Sequence, residues 1–527
     1  MKRVAVVLAA AVALVAGLVL PARADNPAVS YVYTADPAAL VFNDTLYIYT
    51  GHDEAPAGGG NFVMRDWHVF SSADGVNLRS HGPRLGISNF AWAGADAWAS
   101  EVQERDGRFY WYTSVNGNGP GWMNIGVAVG NSPTGPFTDA IGGPLISDST
   151  PNSSALNIDP TVFVDDDGQV YMYWGSFWQA RAVRLQSNMT ALNGAVMTPQ
   201  GLTDFWEAPW MFKRNGVYYM AYASNAGAGC VTSSSFACIR YATASNPLGP
   251  WTHRGIVLGQ VTSTTNHPAI VQFRNQWYMI YHTAEAAGGG NFRRSLAIDR
   301  LNFNADGTMQ LVTQTRGPGQ AARYAFNQTS GTTVTDSSVN VRHGTLVNGP
   351  TWVAGRFGNA VNLDGSDDHV SLPVSAVQGL GDFTISAWVR QDTAATWSRV
   401  FDFGRGTAAN MFLTPRSSAG TARFAITAGG GGAEQRINGT AALPTGVWTH
   451  VAVTVYGSTG ILYVNGAEAG RNTAMTLRPA DLGALTQTWL GRSQYADPFL
   501  DGQIDDFRIY NRALSPSEIT AVANSPS

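Results

Sequence analysis

Glu207 sits in the run DFWEAPW, residues 204 to 210, a carboxylate set among tryptophans. Apolar company disfavours the charged form of an acid and raises its pKa. An acid still protonated near neutrality can hand a proton to a leaving oxygen, provided a second, ionised carboxylate activates water or attacks. Asp36 and Asp159 are the available partners. Asp36 lies beside small residues and the polar segment Gly51-His52-Asp53-Glu54, which suits an ionised base. Asp159 near Glu207 would help keep that acid protonated by repulsion and would fix its orientation. The chemistry this predicts is cleavage of a glycosidic bond.

These acids are far apart in the chain, so some regular element must bring them together. Five segments line up. They begin at Asp36, Trp98, Asp159, Glu207 and His267. Each opens with one distinctive residue, followed by an apolar strand, a polar turn and a second, tyrosine-rich strand. The turns are Asn43-Asp44, Asp106-Gly107, Asp167-Gly168, Asn215-Gly216 and Asn275-Gln276. The opener precedes the first Tyr or Phe of the second strand by 11 residues in four copies and by 12 in the third. Alternating apolar and polar residues around Asn-Gly or Asp-Gly mark hairpins. Five hairpins at intervals of about 50 to 60 residues predict a five-bladed β-propeller of four-stranded blades. All five openers then stand at one height on the innermost strands, around the channel. An Asp-Pro pair can simply start a strand after a turn. That does not account for Glu207 and His267 in the same register. Asp165-Asp166-Asp167-Gly168 looks like a calcium loop but falls on the third turn and lacks the EF-hand spacing and terminal Glu.

Composition agrees with a neutral, hydroxylated ligand. Charged residues are 13% of the 527-residue chain and net charge is −4, which gives nucleic acid or an anionic membrane nothing to bind. The chain holds 16 Trp and 19 Tyr, side chains that stack on sugar CH faces but also fill β-rich cores. Lys2 and Arg3, the apolar run Val4 to Leu20 and Ala22-Arg23-Ala24 read as a signal peptide over residues 1–24, hence a secreted, extracellular protein. The two cysteines, Cys230 and Cys238, are expected to close one short local loop. No Cys or His spacing suggests zinc.

The openers, in the order Asp, Asp, Glu, resemble glycoside hydrolase family 43. The segments that carry this are TADPAALVFNDTLYIYTGHD, AWASEVQERDGRFYWY, NIDPTVFVDDDGQVYMYWG, FWEAPWMFKRNGVYYMAYA and TNHPAIVQFRNQWYMIYH, over about residues 26 to 315. The resemblance implies an inverting reaction with Asp36 as general base, Asp159 as pKa modulator and Glu207 as general acid. It implies that His267 helps hold Ca2+ or another cation in the channel, with no cofactor required for the chemistry. It implies that an arginine of NFRRSLAID, Arg293 or rather Arg294, contacts the sugar. YTGHDE and RRSLAID resemble the members that remove arabinofuranosyl groups from arabinoxylan. A β-xylosidase, an endo-arabinanase and a galactosidase are the alternatives within the family. Fructan-cleaving propellers are set aside, because Ala follows Glu207 and Pro-Ala-Ala follows Asp36.

Further pocket candidates follow from position: His52 and Asp53 at a strand end, Trp98 as floor or wall, and Phe177, which with Trp178 follows the third hairpin. For Trp98 blade packing is an equal alternative; for Phe177 and Trp178 it is the favoured one. Beyond Arg316 to Gln320, a turn-rich boundary, short strands with Gly and Asn turns indicate a β-sandwich. DGSDDHVSLP and LDGQIDDFRIYNRALS resemble the laminin-G-like, concanavalin-type jelly roll. The expected domains are therefore a propeller over 25–318 and a sandwich over 319–527. The sandwich either binds polysaccharide or stabilises its neighbour, and Asp505 or Asp506 is read as structural rather than as a calcium ligand. Arabinoxylan or arabinan is the expected partner, and the chain is expected to be a monomer. The rival reading, a carbohydrate-binding protein without turnover, has no use for three acids around one channel.

Overall fold

A computed structural model describes residues 26–117, 121–227, 229–315, 319–338 and 340–524. The expected signal peptide lies outside the described residues, as do Arg316 to Pro318 of the expected boundary. Among the described residues no helix is long and apolar enough to cross a membrane.

The first part of the chain is all β, five antiparallel sheets arranged as the blades of a propeller. Blades one, two and four have four strands. Among the described residues blades three and five have three, one fewer than expected; in blade three the isolated pairings of Ala182 with Met197 and of Leu185 with Leu192 stand where a fourth strand would run. The innermost strands are Thr34–Phe42, Ala93–Arg105, Thr161–Val164, Glu207–Arg214 and Ala269–Phe273. Four of the five hairpin turns are two-residue turns. In two of these both central residues are non-glycine with positive φ (Asn43 and Asp44; Arg274 and Asn275), and in two a glycine takes the second place (Asp106-Gly107; Asn215-Gly216). This is the twist that matches paired strands. The fifth turn falls at Arg274-Asn275, one residue before the expected Asn275-Gln276.

The second strands do not alternate apolar with polar. In Val170–Trp174 all five residues are buried. Val170, Met172 and Trp174 face blade two, against Tyr112, Ile125 and Val127, while Tyr171 and Tyr173 face blade four, against Met211, Met220 and Tyr222. A blade is sandwiched on both faces, so both residue sets of a period-2 strand are apolar. The ring is closed by the N-terminal segment. The Ala28 and Thr34 N–H groups donate to the Leu296 and Arg294 carbonyls at 2.8 Å each, and the Asn26 side chain accepts from the Ile298 N–H at 2.8 Å.

From Gln320 onward two eight-stranded sheets pack as a sandwich around a core of aliphatic side chains and phenylalanines. The long strand Asp501–Tyr510 is central to one of them. Asp506 on it pairs with Arg323 at 3.0 Å and with Arg508, and Asp505 accepts from the Phe357 N–H at 2.8 Å, so both aspartates brace the sandwich. The sandwich grips the propeller through a buried carboxylate, Asp382. It accepts from the Tyr31 hydroxyl (2.8 Å), the Ser80 N–H (3.1 Å) and Arg478 Nε (3.1 Å). Tyr31 also stacks on Tyr456, with ring centroids 4.2 Å apart.

Candidate active site

The innermost strands are bulged where the openers stand. Register breaks between Ala35 and Ala38, between Ala97 and Ser100, and between Glu207 and Trp210. Asp36, Asp159 and Ala208 take left-handed backbone, with φ of 50°, 59° and 56°. Each precedes a proline, which normally steers its predecessor to extended backbone. The strain re-aims the side chain, as bulges beside active sites do.

The backbone N–H of each of these three residues is satisfied by a neighbouring blade. The Asp36 N–H donates to His282 Nδ1 (3.1 Å), the Asp159 N–H to Ser114 Oγ (2.9 Å), and the Ala208 N–H to Asp159 Oδ2 (3.0 Å). Asp159 is thus bonded to the residue next to Glu207. His282 and Ser114 were not expected. The signal lay one strand over: both are polar residues toward the end of the second strand of a hairpin, and Ser176, two residues past the end of such a strand, donates its hydroxyl to Glu207 Oε2 at 2.8 Å.

Burial pushes the half-buried Glu207 carboxyl up to about 7; the Ser176 hydrogen bond opposes this, and the charge of Asp36 adds to it. Of its two tryptophan neighbours only Trp206 lies by the acid. Trp210 is buried in blade packing, its indole N–H on the Ile270 carbonyl at 2.8 Å. Asp159 rises well above the carboxylate range, through burial first and then through the charges of Glu207 and Asp36. Like charges this close cannot all ionise, so the Asp159–Glu207 pair holds on to a proton.

Asp36 is buried rather than set in polar surroundings, and burial pushes it up too. Its ionised form is held instead by Arg294, whose Nη1 donates to Asp36 Oδ1 at 2.9 Å. Arg294 is itself buried and clamped by Asp53, through Nε (2.9 Å), Nη2 (3.0 Å) and its own backbone N–H (2.8 Å). Asp53 therefore lies behind Arg294, with both oxygens engaged, and not as the sugar contact expected. Arg293 packs over Tyr33 at 4.2 Å.

Aromatic rings rise on two sides. Phe62 covers the Arg294 guanidinium at 4.6 Å and packs edge-on against Trp98, which in turn meets the exposed Trp122. Trp98 also packs against Met123, Leu156 and Ile158, so it serves packing and wall together. Beside Ser176, Phe177 and Trp178 are 44% and 64% exposed, which corrects the blade-packing reading. Both have positive φ, 53° and 61°, and both sit edge-on to Trp206. Bulky aromatics on left-handed backbone are strained, and here they are exposed as well. His52 is half-buried against Asp66 at 3.0 Å.

His267 is buried and its pKa falls to about 3, through burial and then Arg294, so its imidazole is neutral. Calcium takes about six to eight oxygen ligands. His267 offers one nitrogen and belongs to neither group of three or more potential ligands found among the described residues. The side chains present do not make a calcium cage, and no chemical step is assigned to an ion there. Asp165 and Asp166 are engaged by Lys213 at 2.7 and 2.8 Å, as a turn rather than a cation loop. Cys230 and Cys238 form the expected disulfide.

A raised-pKa acid, a second carboxylate ion-paired in the same well and aromatic walls on a propeller define a glycoside hydrolase. The comparisons with known proteins agree. The model of "Glycosyl hydrolases family 43" matches residues 24–309, and that of the "Concanavalin A-like lectin/glucanases superfamily" matches residues 364–520. A xylosidase/arabinosidase of Bacteroides ovatus is 32% identical over 323 residues, 52% of this chain and 93% of the relative. An arabinoxylan arabinofuranohydrolase of Bacillus subtilis (strain 168) is 33% identical over 402 residues, 64% of this chain and 75% of the relative. Among solved structures, a β-xylosidase/α-arabinofuranosidase from a compost microbial metagenome, in complex with xylotriose and in calcium-free form, is 32% identical. The match covers 55% of this chain and 98% of that one, with a TM-score of 0.49. The chain belongs to glycosyl hydrolase family 43 and is a hydrolase of the arabinofuranosidase/xylosidase type.

The hydrogen bond from Ser176 favours the ionised form of Glu207, so removing it raises the acid's pKa further. If Glu207 sets the alkaline limb of kcat/KM, that limb is expected near pH 7 in the parent, and Ser176→Ala is expected to move it to higher pH. A pH–rate profile on an aryl glycoside checks this; an unmoved limb would separate Ser176 from the titrating acid.

Proposed function

We propose that the chain is an exported, inverting hydrolase that removes α-L-arabinofuranosyl groups from arabinoxylan or arabinan. Glu207 protonates the leaving oxygen, Asp36 activates the attacking water, and Asp159 holds the acid in place and protonated. The observation that carries this is the difference in what opposes burial at the two acids: burial pushes Glu207 up to about 7, and it raises Asp36 as well, but there the Arg294 guanidinium at 2.9 Å favours the ionised form. General acid and base require environments that push neighbouring carboxylates apart in pKa, and the Arg294 ion pair acts in that direction by favouring the charged form of Asp36. The relatives named for arabinoxylan and arabinose chemistry support the substrate class. β-Xylosides are the second reading, favoured by the relative of Xylanibacter ruminicola named a β-xylosidase, 30% identical over 327 residues. In this proposal residues 1–24 are removed on export, 25–318 form the catalytic unit, and 319–527 form a module that holds polysaccharide.

The deciding experiment is turnover of aryl α-L-arabinofuranoside, β-D-xyloside and galactoside in parallel, with proton NMR of the first sugar released. Preference for the arabinofuranoside with an inverted anomer is expected. Net retention would defeat the single-displacement mechanism, and preference for the xyloside would hand the site to the second reading.

Because the acid protonates the leaving group, the exposed rings beside it face the aglycone. Trp178→Ala is expected to raise KM on arabinoxylan by about 3- to 10-fold, the worth of one lost stacking contact. Small aryl glycosides should be little affected. Equal losses on polymer and aryl substrate would place Trp178 elsewhere in the mechanism.

A further inference from the structure

We propose that His52, Asp66 and His68 form a binding site for a divalent transition metal of the zinc class on the rim of blade one. The site follows from strand register. In the pairing of Thr45–His52 with Asp66–Ser72, Gly51 lies opposite Trp67, so His52 comes opposite Asp66. His68 is two residues on and shares the face of Asp66. The pleat thus delivers two imidazoles and a carboxylate to one spot without any loop to order.

The donor atoms are spaced for a metal. His52 Nδ1 is 3.0 Å and His68 Nε2 is 3.4 Å from Asp66 Oδ1, and all three donors lie within 4.8 Å of one another. Bonds of about 2.0 Å in a tetrahedron put neighbouring ligands about 3.3 Å apart, and the two measured separations fall on either side of that value. The imidazoles are 22% and 11% exposed and the carboxylate 28%, enough for an ion to enter and keep a water as fourth ligand. In the metal-free protein the Asp66 carboxylate faces His68 Nε2; His68 Nδ1 has no competing hydrogen-bond partner, so it can carry the ring proton when Nε2 binds a metal. With nitrogen and oxygen donors and no thiolate, the set suits Zn2+, Co2+, Ni2+ or Cu2+ rather than Ca2+. Asp53, the residue after His52, clamps Arg294. An ion here would brace the strand end from which that clamp projects.

The test uses the full chain without an affinity tag, stripped of metal, and titrated with Co2+ alone and then with Zn2+. One equivalent of Co2+ should give the intense visible bands of a four-coordinate site, and Zn2+ should displace it. His68→Gln and Asp66→Asn should each weaken binding by at least about 10- to 100-fold, since even outer partners of metal ligands carry that much. Glycosidase turnover by His68→Gln reports that this variant is folded; should it fail to fold, Asp66→Asn carries the test. Absence of the Co2+ bands in the parent, or the same bands and affinity in a folded variant, would overturn the proposal.

Discussion

Glu207→Gln is expected to lower kcat on arabinoxylan side chains by about 100- to 10,000-fold, the usual contribution of a positioned proton donor. The amide keeps the shape and the Ser176 contact but cannot supply a proton to the leaving oxygen. The loss should depend on the leaving group. An aryl glycoside whose phenol leaves as a stable anion needs little protonation, so the variant should be far less impaired on a dinitrophenyl substrate than on polymer. The alkaline limb near pH 7 should vanish with the group that makes it. Asp36→Asn should behave differently, losing activity on both kinds of substrate, because water activation is needed whatever departs. Equal impairment of Glu207→Gln on both would remove Glu207 from the role of acid. Initial rates on the two substrates across pH decide it.

The second large effect is expected at Arg294. Its guanidinium is buried between Asp36 and Asp53, pairing with both at 2.9 Å. Both carboxylates are buried as well. Arg294→Met keeps the packing against Phe62 and leaves two buried acids without a counter-ion. Breaking a buried pair from one side costs about 3–5 kcal/mol. Asp36, already pushed up by burial, then loses the charge that keeps it ionised. Its pKa rises, and the acid limb of kcat/KM, where the base takes up its proton, should move to higher pH with at least about a 100-fold loss of rate. Arg294→Lys keeps the charge but not the two-pronged grip, so it should fall between parent and Met in both respects. Denaturant midpoints and pH–rate profiles measure these effects. A Met variant with the parent's midpoint and acid limb would show that Asp36 is ionised by something else.

The repeat of hairpins was legible from sequence because its signals are local. Turn residues such as Asn43-Asp44 and Asn215-Gly216 carry their own backbone preference, and strand periodicity is read from neighbours. That also placed Asp36, Asp159 and Glu207 in one register, since equivalent positions of a repeat occupy equivalent positions of a ring. The laminin-G-like second half was legible for the same local reason. Where the reading went astray, a non-local contact decided. The second strands lack a polar face because blades press on both sides of them, as Val170–Trp174 does. Phe177 and Trp178 looked like packing, yet the backbone turns outward after Gly175 and leaves them exposed.

What the amino-acid sequence determined alone was the inventory: five hairpins, their openers, and the residue type at each. What only the tertiary structure decided was the charge each acid carries. Asp36 owes its counter-ion to Arg294, 258 residues away, and Arg294 owes its aim to Asp53, 241 residues from it. Glu207 owes a hydrogen bond to Ser176 on the neighbouring blade, and Asp159 owes its raised pKa to burial beside the other two. The ionisation of a carboxylate depends on how much water and which charges lie within a few ångströms. Those distances exist only once the ring has closed, and no local pattern encodes them.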